Sequence, residues 1–104
     1  MKLYLIRERK NIYAEGEYNI QTKSMKILKG AKVSNDIAHS PTFRGAKSIE
    51  KHREGIIKNN TLIEDITFKS SSTAANFVTG RSTNGFDAWK NKDGISLKEL
   101  MKNE

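Results

Sequence analysis

A run of three serines before a short helical pattern is the feature of this sequence best suited to contact a charged ligand. Ser70, Ser71 and Ser72 precede residues 73–78, and Gly80 follows them. Serine hydroxyls cap the free N–H groups at a helix start, and glycine allows the left-handed turn that ends a helix. The N–H groups of a helix start also attract anions such as phosphate. The pattern predicts a two-turn helix whose first turn is either simply capped or also binds an anion.

Polar, cationic and aromatic side chains lie on both sides of this predicted helix. Lys69, Arg81 and Asn84 could flank a backbone phosphate, although Arg81 could equally be a solvated charge stabilised by the helix dipole. Trp89 is the only tryptophan and could stack on a base, but a place in the core is the interpretation that we favour for it. The candidate nucleic-acid-binding residues are Lys69, Ser70, Ser72, Arg81, Asn84, Trp89 and Lys90.

Catalytic and metal-binding patterns are weak by comparison. His39 and His52 have no Cys, His or carboxylate at ligand spacing, and the chain contains no cysteine. The adjacent pair Glu64 and Asp65 would point to opposite faces of a strand, which does not suit paired acid–base chemistry. We therefore predict a protein that is not an enzyme and that has no metal site and no cofactor.

The net charge indicates an anionic partner. The chain has 104 residues and a net charge of +7, with eleven Lys and Arg against five Asp and Glu in residues 1–52. A basic surface favours nucleic acid as a partner, and the alternative is a lysine-rich surface that only keeps the protein in solution. The longest apolar run near the N-terminus, residues 3–6, is too short for a signal peptide or a membrane span. We expect one domain over residues 1–104, in the cytoplasm and without membrane contact.

Three strands are predicted in the first third of the chain. Residues 3–7 form a short apolar run, and residues 12–20 alternate apolar and polar side chains as a half-buried strand does. Residues 19–22 suit a hairpin turn, and residues 23–29 follow as a third strand with Met25 and Ile27 on one face. Gly30 ends the pattern, and residues 31–42 are predicted to be a loop.

The rest of the chain alternates helices and strands. A helical pattern from about residue 42 to residue 58 ends at Asn59-Asn60, and residues 62–68 are predicted to be extended. After the Ser-capped helix, Asn84-Gly85 signals a turn that leads into a strand over residues 86–90. Ser96 and Glu99 have capping-box spacing and open a short C-terminal helix. The order β-β-β-α-β-α-β-α predicts an α+β fold with a small antiparallel sheet and a central helix.

The last third of the chain carries a resemblance to a known family. Phe68, the serine-Ala-Ala run 70–75, the Gly80-to-Phe86 segment and Trp89-Lys90 resemble the uncharacterised family called domain of unknown function 4357. Asp93-Gly94, the segment 97–100, Ala14-x-Gly16 and Leu28-Lys29-Gly30 match further parts of that pattern. Ser71 stands where the family usually has proline, which implies the same fold with a softer helix start.

This resemblance implies a kind of partner but no activity. Members of the family often follow a nuclease domain of the GIY-YIG type or lie beside restriction–modification genes, and this chain has no such nuclease motif. The serine cap and the aromatic run after Asn84-Gly85 are also similar to the RAMA domain, a module proposed to read DNA with modified adenine. We therefore predict a non-catalytic accessory module that binds DNA, and the alternative is a protein-interaction module that docks a nuclease or methylase.

Overall fold

The computed structural model describes residues 1–40 and 43–102 as an antiparallel sheet covered on one face by helices. The sheet contains four strands in the order β1-β2-β3-β6, and β4 pairs with β5. The strands are β1 (Lys2–Arg7), β2 (Ile12–Tyr18), β3 (Met25–Ile27), β4 (Ile57–Lys58), β5 (Thr61–Leu62) and β6 (Ile66–Phe68). The helices are α1 (Ala46–Arg53), α2 (Ser71–Thr79), α3 (Gly85–Ala88) and α4 (Leu97–Met101). The predicted α+β class with a small antiparallel sheet is confirmed.

The N-terminal strands follow the predicted alternation. β1 pairs antiparallel with β2 from Lys2↔Glu17 to Arg7↔Ile12, and β2 pairs with β3 from Gly16↔Ile27 to Tyr18↔Met25. Alternate residues of β2 are buried and the residues between them face outward. The turn between β2 and β3 is closed by the Asn19 side chain, whose Oδ1 accepts hydrogen bonds from the N–H groups of Gln21 and Thr22. The three predicted strands and the turn at residues 19–22 are confirmed, although the second strand ends at Tyr18 and the third spans only Met25–Ile27.

A tight turn after β3 changes which strands the chain pairs with. Gly30 has φ +99°, a left-handed conformation that suits glycine, and its N–H donates to the carbonyl of Leu62. Lys32 then exchanges two backbone hydrogen bonds with Tyr13 and also bridges to Thr61. The Leu28-Lys29-Gly30 sequence thus carries the chain from a position between β2 and β6 to a position between β2 and β5.

The central helix is shorter than the sequence predicts. α1 ends at Arg53, and β4 and β5 form a hairpin around Asn59 and Asn60, both with positive φ (+53° and +61°). Two successive left-handed residues define a type I′ turn, for which asparagine is favoured. The prediction of a helix through residue 58 is therefore wrong, because Asn59-Asn60 turns a hairpin instead of ending a helix. The predicted helix start at residue 42 lies outside the described residues.

A second correction concerns the segment after Asn84-Gly85. The sequence pattern predicts a strand over residues 86–90, but Gly85–Ala88 is a single helical turn that begins at Asn84, whose Oδ1 accepts from the N–H of Phe86. Trp89 and Lys90 retain the extended character, and Lys90 forms isolated bridges to Tyr4 and Ser96. Asn84 and its side chain favour a helix start as much as a hairpin turn, and burial of Trp89 decides between them.

The core lies between α2 and the inner face of the sheet. Trp89, Phe77, Leu3, Leu5, Met25 and Ile27 are all almost completely buried there. Each such side chain stabilises the fold by roughly 1.5–3 kcal/mol relative to exposure. α4 closes one end, where Ser96 Oγ accepts from the Glu99 N–H at 3.3 Å, as the capping-box spacing predicts. The radius of gyration, 12.8 Å, agrees with about 13 Å for one compact body of this length.

Across the part of the chain that the structure describes, every helix is too short or too polar to cross a membrane.

Candidate functional site

The predicted helix start at Ser70 forms as expected. Ser70 Oγ accepts a hydrogen bond from the Thr73 N–H at 3.1 Å and lies 2.9 Å from the Thr73 hydroxyl. α2 ends at Gly80, which has φ +76° and donates its N–H to the carbonyl of Asn76. Both ends of α2 are therefore satisfied by the residues that the sequence pattern indicates, Ser70 and Gly80.

The first turn of α2 is covered by the protein itself. Gly85 lies so close to it that a Cβ atom on Gly85 would fall 2.3 Å from the carbonyl carbon of Ser71 and 2.5 Å from the nitrogen of Ser72. The Gly85 N–H donates to Ser72 Oγ at 2.9 Å. α3 thus occupies the space over this helix start, where the sequence suggests an anion.

Trp89 also contacts the first turn of α2, from inside the core. Its side chain is 0% exposed, and the indole Nε1 donates to the carbonyl of Ser71 at 3.0 Å. A completely buried ring offers no face to a base, so the stacking role suggested for Trp89 is wrong for this conformation and the core interpretation is correct. Ser72 and Trp89 therefore hold α2 and the segment around α3 together, whereas Ser70 and Asn84 cap the helices that follow them.

The remaining candidate residues do not form one surface. Lys69 follows β6, which is one edge of the four-stranded sheet, whereas Lys90 bridges to β1, the other edge. Arg81 is half-buried, and its carbonyl accepts from the hydroxyls of Thr79 and Thr83. Lys90 is exposed, and it lines a groove together with Asn84, another candidate residue. A single basic face that joins Lys69, Arg81 and Lys90 is therefore not formed.

Arg53 is a structural residue that the sequence pattern does not single out. Its guanidinium donates to the carbonyls of Phe77 and Ser34 and to the Ser34 hydroxyl, at 2.6 to 3.2 Å. It also lies 5.6 Å from the ring centroid of Phe77. Burial lowers the pKa of Arg53 below its ordinary value, and the nearby charge of Asp36 acts in the opposite direction. Arg53 thus ties α1 to the end of α2, where free carbonyls favour a cation.

The outer face of the sheet is a second region with functional potential. Because directly opposed residues of antiparallel strands point to the same side, Lys90 lies on the face of Tyr4, and Lys32 lies on the face of Tyr13. The rings of Tyr4 and Tyr13 are 6.4 Å apart between centroids and tilted by 51°. Tyr13 is 47% exposed, and its cross-strand partner Ile6 is 50% exposed.

Three grooves run together along this face. The first, about 620 Å³, lies between β1 and the segment after α3; the second, about 430 Å³, surrounds Tyr13; the third, about 540 Å³, lies beside the Asn59-Asn60 hairpin. The first and second share Ile6, and the second and third share Asn11 and Lys32. We call these three adjoining grooves together the trough. Its charged lining residues are five cations and two acids: Arg7, Lys10, Lys32, Lys90, Lys92, Glu8 and Asp87.

The lysines at the centre of the trough are available to a ligand. In the part of the chain that the structure describes, Lys32 and Lys90 form no ion pair with a carboxylate. Glu15, the cross-strand partner of Tyr4 on β2, is bound to Lys2 at 3.5 Å. No sequence signal points to this site, because Tyr4 and Tyr13 are predicted only as parts of strands and the register that joins them to the lysines is a property of the fold.

A serine–histidine pair on α1 does not form a catalytic dyad. Ser48 Oγ lies 3.3 Å from His52 Nδ1, but the same nitrogen lies 2.7 Å from the carbonyl of Ser48. Nδ1 must therefore carry the proton that it shares with this carbonyl, and it cannot take one from the hydroxyl. Asp65 accepts from the Lys29 N–H at 2.7 Å, which is a structural role. Residues 1–40 and 43–102 contain no group of three His, Asp or Glu side chains arranged to bind a metal ion.

These features define a small α+β domain with a helix-covered sheet and an open, cation-lined outer face. The model of the family described as a domain of unknown function (DUF4357) matches residues 4–101, and the chain therefore belongs to this family. The match includes the segment 68–100 and the N-terminal strands, as the resemblance indicates. No curated protein and no solved structure gives a significant match.

Proposed function

We propose that this domain binds DNA along the trough on the outer face of its sheet and catalyses no reaction. The single observation that carries the proposal is the placement of Lys32 and Lys90 on either side of the Tyr4–Tyr13 pair, on one exposed face. DNA is the partner that the net charge of +7 and the family resemblance favour. The binding residues lie on the sheet instead of at the start of α2.

The charge of the trough supports this choice of partner. Its cations exceed its acids by three, and they are spread over three connected grooves instead of clustered in one. An extended anion such as a phosphate backbone gains from a row of separated cations, because each phosphate that a cation neutralises releases condensed counterions. A compact anion would touch only one or two of these side chains.

The test is DNA binding by fluorescence anisotropy at about 50 mM salt, where binding to phosphates is strongest. The probes are labelled DNA duplexes, plain and adenine-methylated, and the corresponding single strands. We expect binding to weaken steeply with salt. The double variant Lys32→Gln/Lys90→Gln should lower the slope of log affinity against log salt by roughly 0.7–0.9 for each phosphate that the protein no longer neutralises.

A matched double variant controls for net charge. Lys47→Gln/Lys51→Gln removes two exposed lysines of α1, which line a different groove, and should change affinity much less than the trough variant. If both variants weaken binding equally, the attraction is non-specific and the trough is not the site. If none of the four probes binds, DNA binding is excluded and the proposal is withdrawn.

The exposed apolar side chains favour one second candidate, a module that docks a nuclease or methylase. Ile6 and Tyr13 are neighbours on the sheet face and are about half exposed. Apolar surface rimmed by polar residues is typical of protein interfaces. A co-purifying nuclease or methylase whose binding is lost in Ile6→Asp, together with no DNA affinity, would select this alternative. An association with restriction–modification systems rests on the family resemblance alone.

A further inference from the structure

We propose that the trough selects single-stranded DNA, with unpaired bases stacked on Tyr13 and its neighbour Tyr4. This inference rests on the proposed function and specifies its ligand. A base in a duplex has both faces covered by its neighbours, whereas an unpaired base can place one face on an aromatic ring. The outer face of the sheet presents rings and cations in an order that suits an unpaired strand.

The rings lie where bases would reach them. Tyr13 is in the middle of the trough, which runs past it on both sides through Ile6 and Lys32. Its neighbour Tyr4 is tilted by 51° to it, so that the two rings do not cover one another face to face. Tyr13 is about half exposed to solvent.

The cations lie where phosphates would follow. Lys90 is the cross-strand neighbour of Tyr4 on one side, and Lys32 is the cross-strand neighbour of Tyr13 on the other. Directly opposed residues lie about 5 Å apart between Cβ atoms, so each ring has an ammonium group within reach of the same nucleotide. A ring bordered by a lysine is the arrangement that binds a strand without reading its sequence.

The shape of the surface argues against a duplex as the preferred form. The described chain presents a trough between strands and loops. Helix α2 packs on the sheet and has no charged side chain, and α1 exposes Lys47 and Lys51 next to the acidic Glu50. Major-groove recognition needs a helix or a ribbon that can enter the groove. The sheet face offers rings and lysines at its surface, which suits a flexible strand that can adapt to it.

The decisive variant is Tyr13→Ala, measured against a single strand and the duplex of the same sequence. We expect the wild type to prefer the single strand and the variant to lose about tenfold in single-strand affinity, as removal of one stacking ring does. Duplex affinity should change little. Tyr13→Phe keeps the ring and should bind as the wild type does, and Ile63→Ala removes an equally exposed apolar side chain outside the trough and should have no effect.

Fluorescence provides a direct readout of stacking. In Tyr13→Trp, the new exposed indole should be quenched when a single strand binds, whereas the emission of Trp89 in the wild type should stay constant because Trp89 is buried. In Tyr13→Ala and Tyr13→Phe, where Trp89 is the only tryptophan, an emission maximum equal to that of the wild type checks that the variant is folded.

The outcomes separate the two proposals. If DNA binds through the lysines of the trough, but Tyr13→Ala binds single strands normally or duplex is preferred, the stacking inference is wrong and the proposed function stands. If no DNA binds, both fail.

Discussion

Residues 68–100 and the outer face of the sheet differ in how their residues are used. In the first region the residues that identify the family make internal contacts: Ser70 caps α2, Gly85 covers its first turn, and Trp89 donates to Ser71. On the sheet face, Tyr13 and Lys32 are exposed. The most distinctive part of the sequence therefore specifies the fold, and the surface that is free to bind consists of residues with no distinctive pattern.

Mutations in the two regions should have opposite effects. Changes at Ser70, Gly85 and Trp89 should lower stability and affect binding only through unfolding. Changes on the sheet face should leave stability almost unchanged and affect binding directly. The following variants test this difference, beginning with the largest expected loss of stability.

Gly85→Ala should be the most destabilising single change. Its Cβ would fall 2.3 Å from the backbone of Ser71, a clash that can be relieved only if α2 and α3 move apart. We expect a loss of about 3 kcal/mol or more in the free energy of unfolding, measured by urea denaturation. Gly94→Ala is the control, because Gly94 has open space around it. Its positive φ disfavours alanine, and we expect a smaller loss of about 1–2 kcal/mol from this cause. Equal losses would contradict the close packing of α3 on α2.

Arg53→Met should have the next largest effect. It leaves the carbonyls of Phe77 and Ser34 without their charged donor, and such hydrogen bonds contribute about 1.5–3 kcal/mol each when one partner is removed. We expect a loss of about 2 kcal/mol or more in urea denaturation, and Arg53→Lys should recover only part of it because lysine lacks the planar fork. Lys51→Met, on the exposed side of α1, is the control. A stable Arg53→Met variant would show that water replaces the guanidinium at little cost.

Ser70→Ala should lower stability moderately. The hydroxyl accepts from the Thr73 N–H, and loss of such a cap costs about 1 kcal/mol. Thermal unfolding should show a lower midpoint, and single-strand affinity measured well below that midpoint should equal that of the wild type. Reduced single-strand affinity in the folded variant would show that the start of α2 takes part in binding. Ser48→Ala, which removes an exposed serine of α1 outside the trough, is the control.

Lys32→Gln should affect stability least. Lys32 is exposed and contributes to the sheet through its backbone, which the substitution keeps. The free energy of unfolding should change by less than about 0.5 kcal/mol, as for most surface substitutions. A larger loss would mean that the sheet face is itself a structural surface, and the two regions would then differ less than their contacts indicate.

Much of the fold could be predicted from local sequence signals. Four local signals act within a few residues and are confirmed: the alternation predicted over 12–20, which holds through Tyr18, the serine before α2, the glycine after it and the Ser96 cap of α4. Asn59-Asn60 and Asn84-Gly85 are ambiguous because asparagine suits both hairpin turns and helix ends. Contacts distant in sequence decide between these, such as the burial of Trp89 and the pairing of β4 with β5.

The candidate site could not be predicted in the same way. Lys32 reaches Tyr13 only because the chain turns at Gly30, and Lys90 reaches Tyr4 only because α3 ends one residue before Trp89. Neither contact is indicated by a periodic pattern or by a fixed residue spacing in the sequence. Charge indicates the class of partner, whereas the register of the sheet determines which residues could meet it.

The pairing of Tyr4 with Lys90 also has a consequence for how the domain is made. The two residues exchange two backbone hydrogen bonds, although β1 is synthesised first and the segment around Lys90 is among the last parts of the described chain to follow. Until Trp89 and Lys90 have left the ribosome, β1 lacks its outer neighbour and the core lacks its largest side chain. The segment around Trp89 and Lys90 must therefore be synthesised before this domain can fold, and a nascent chain released earlier would expose an unpaired strand to aggregation.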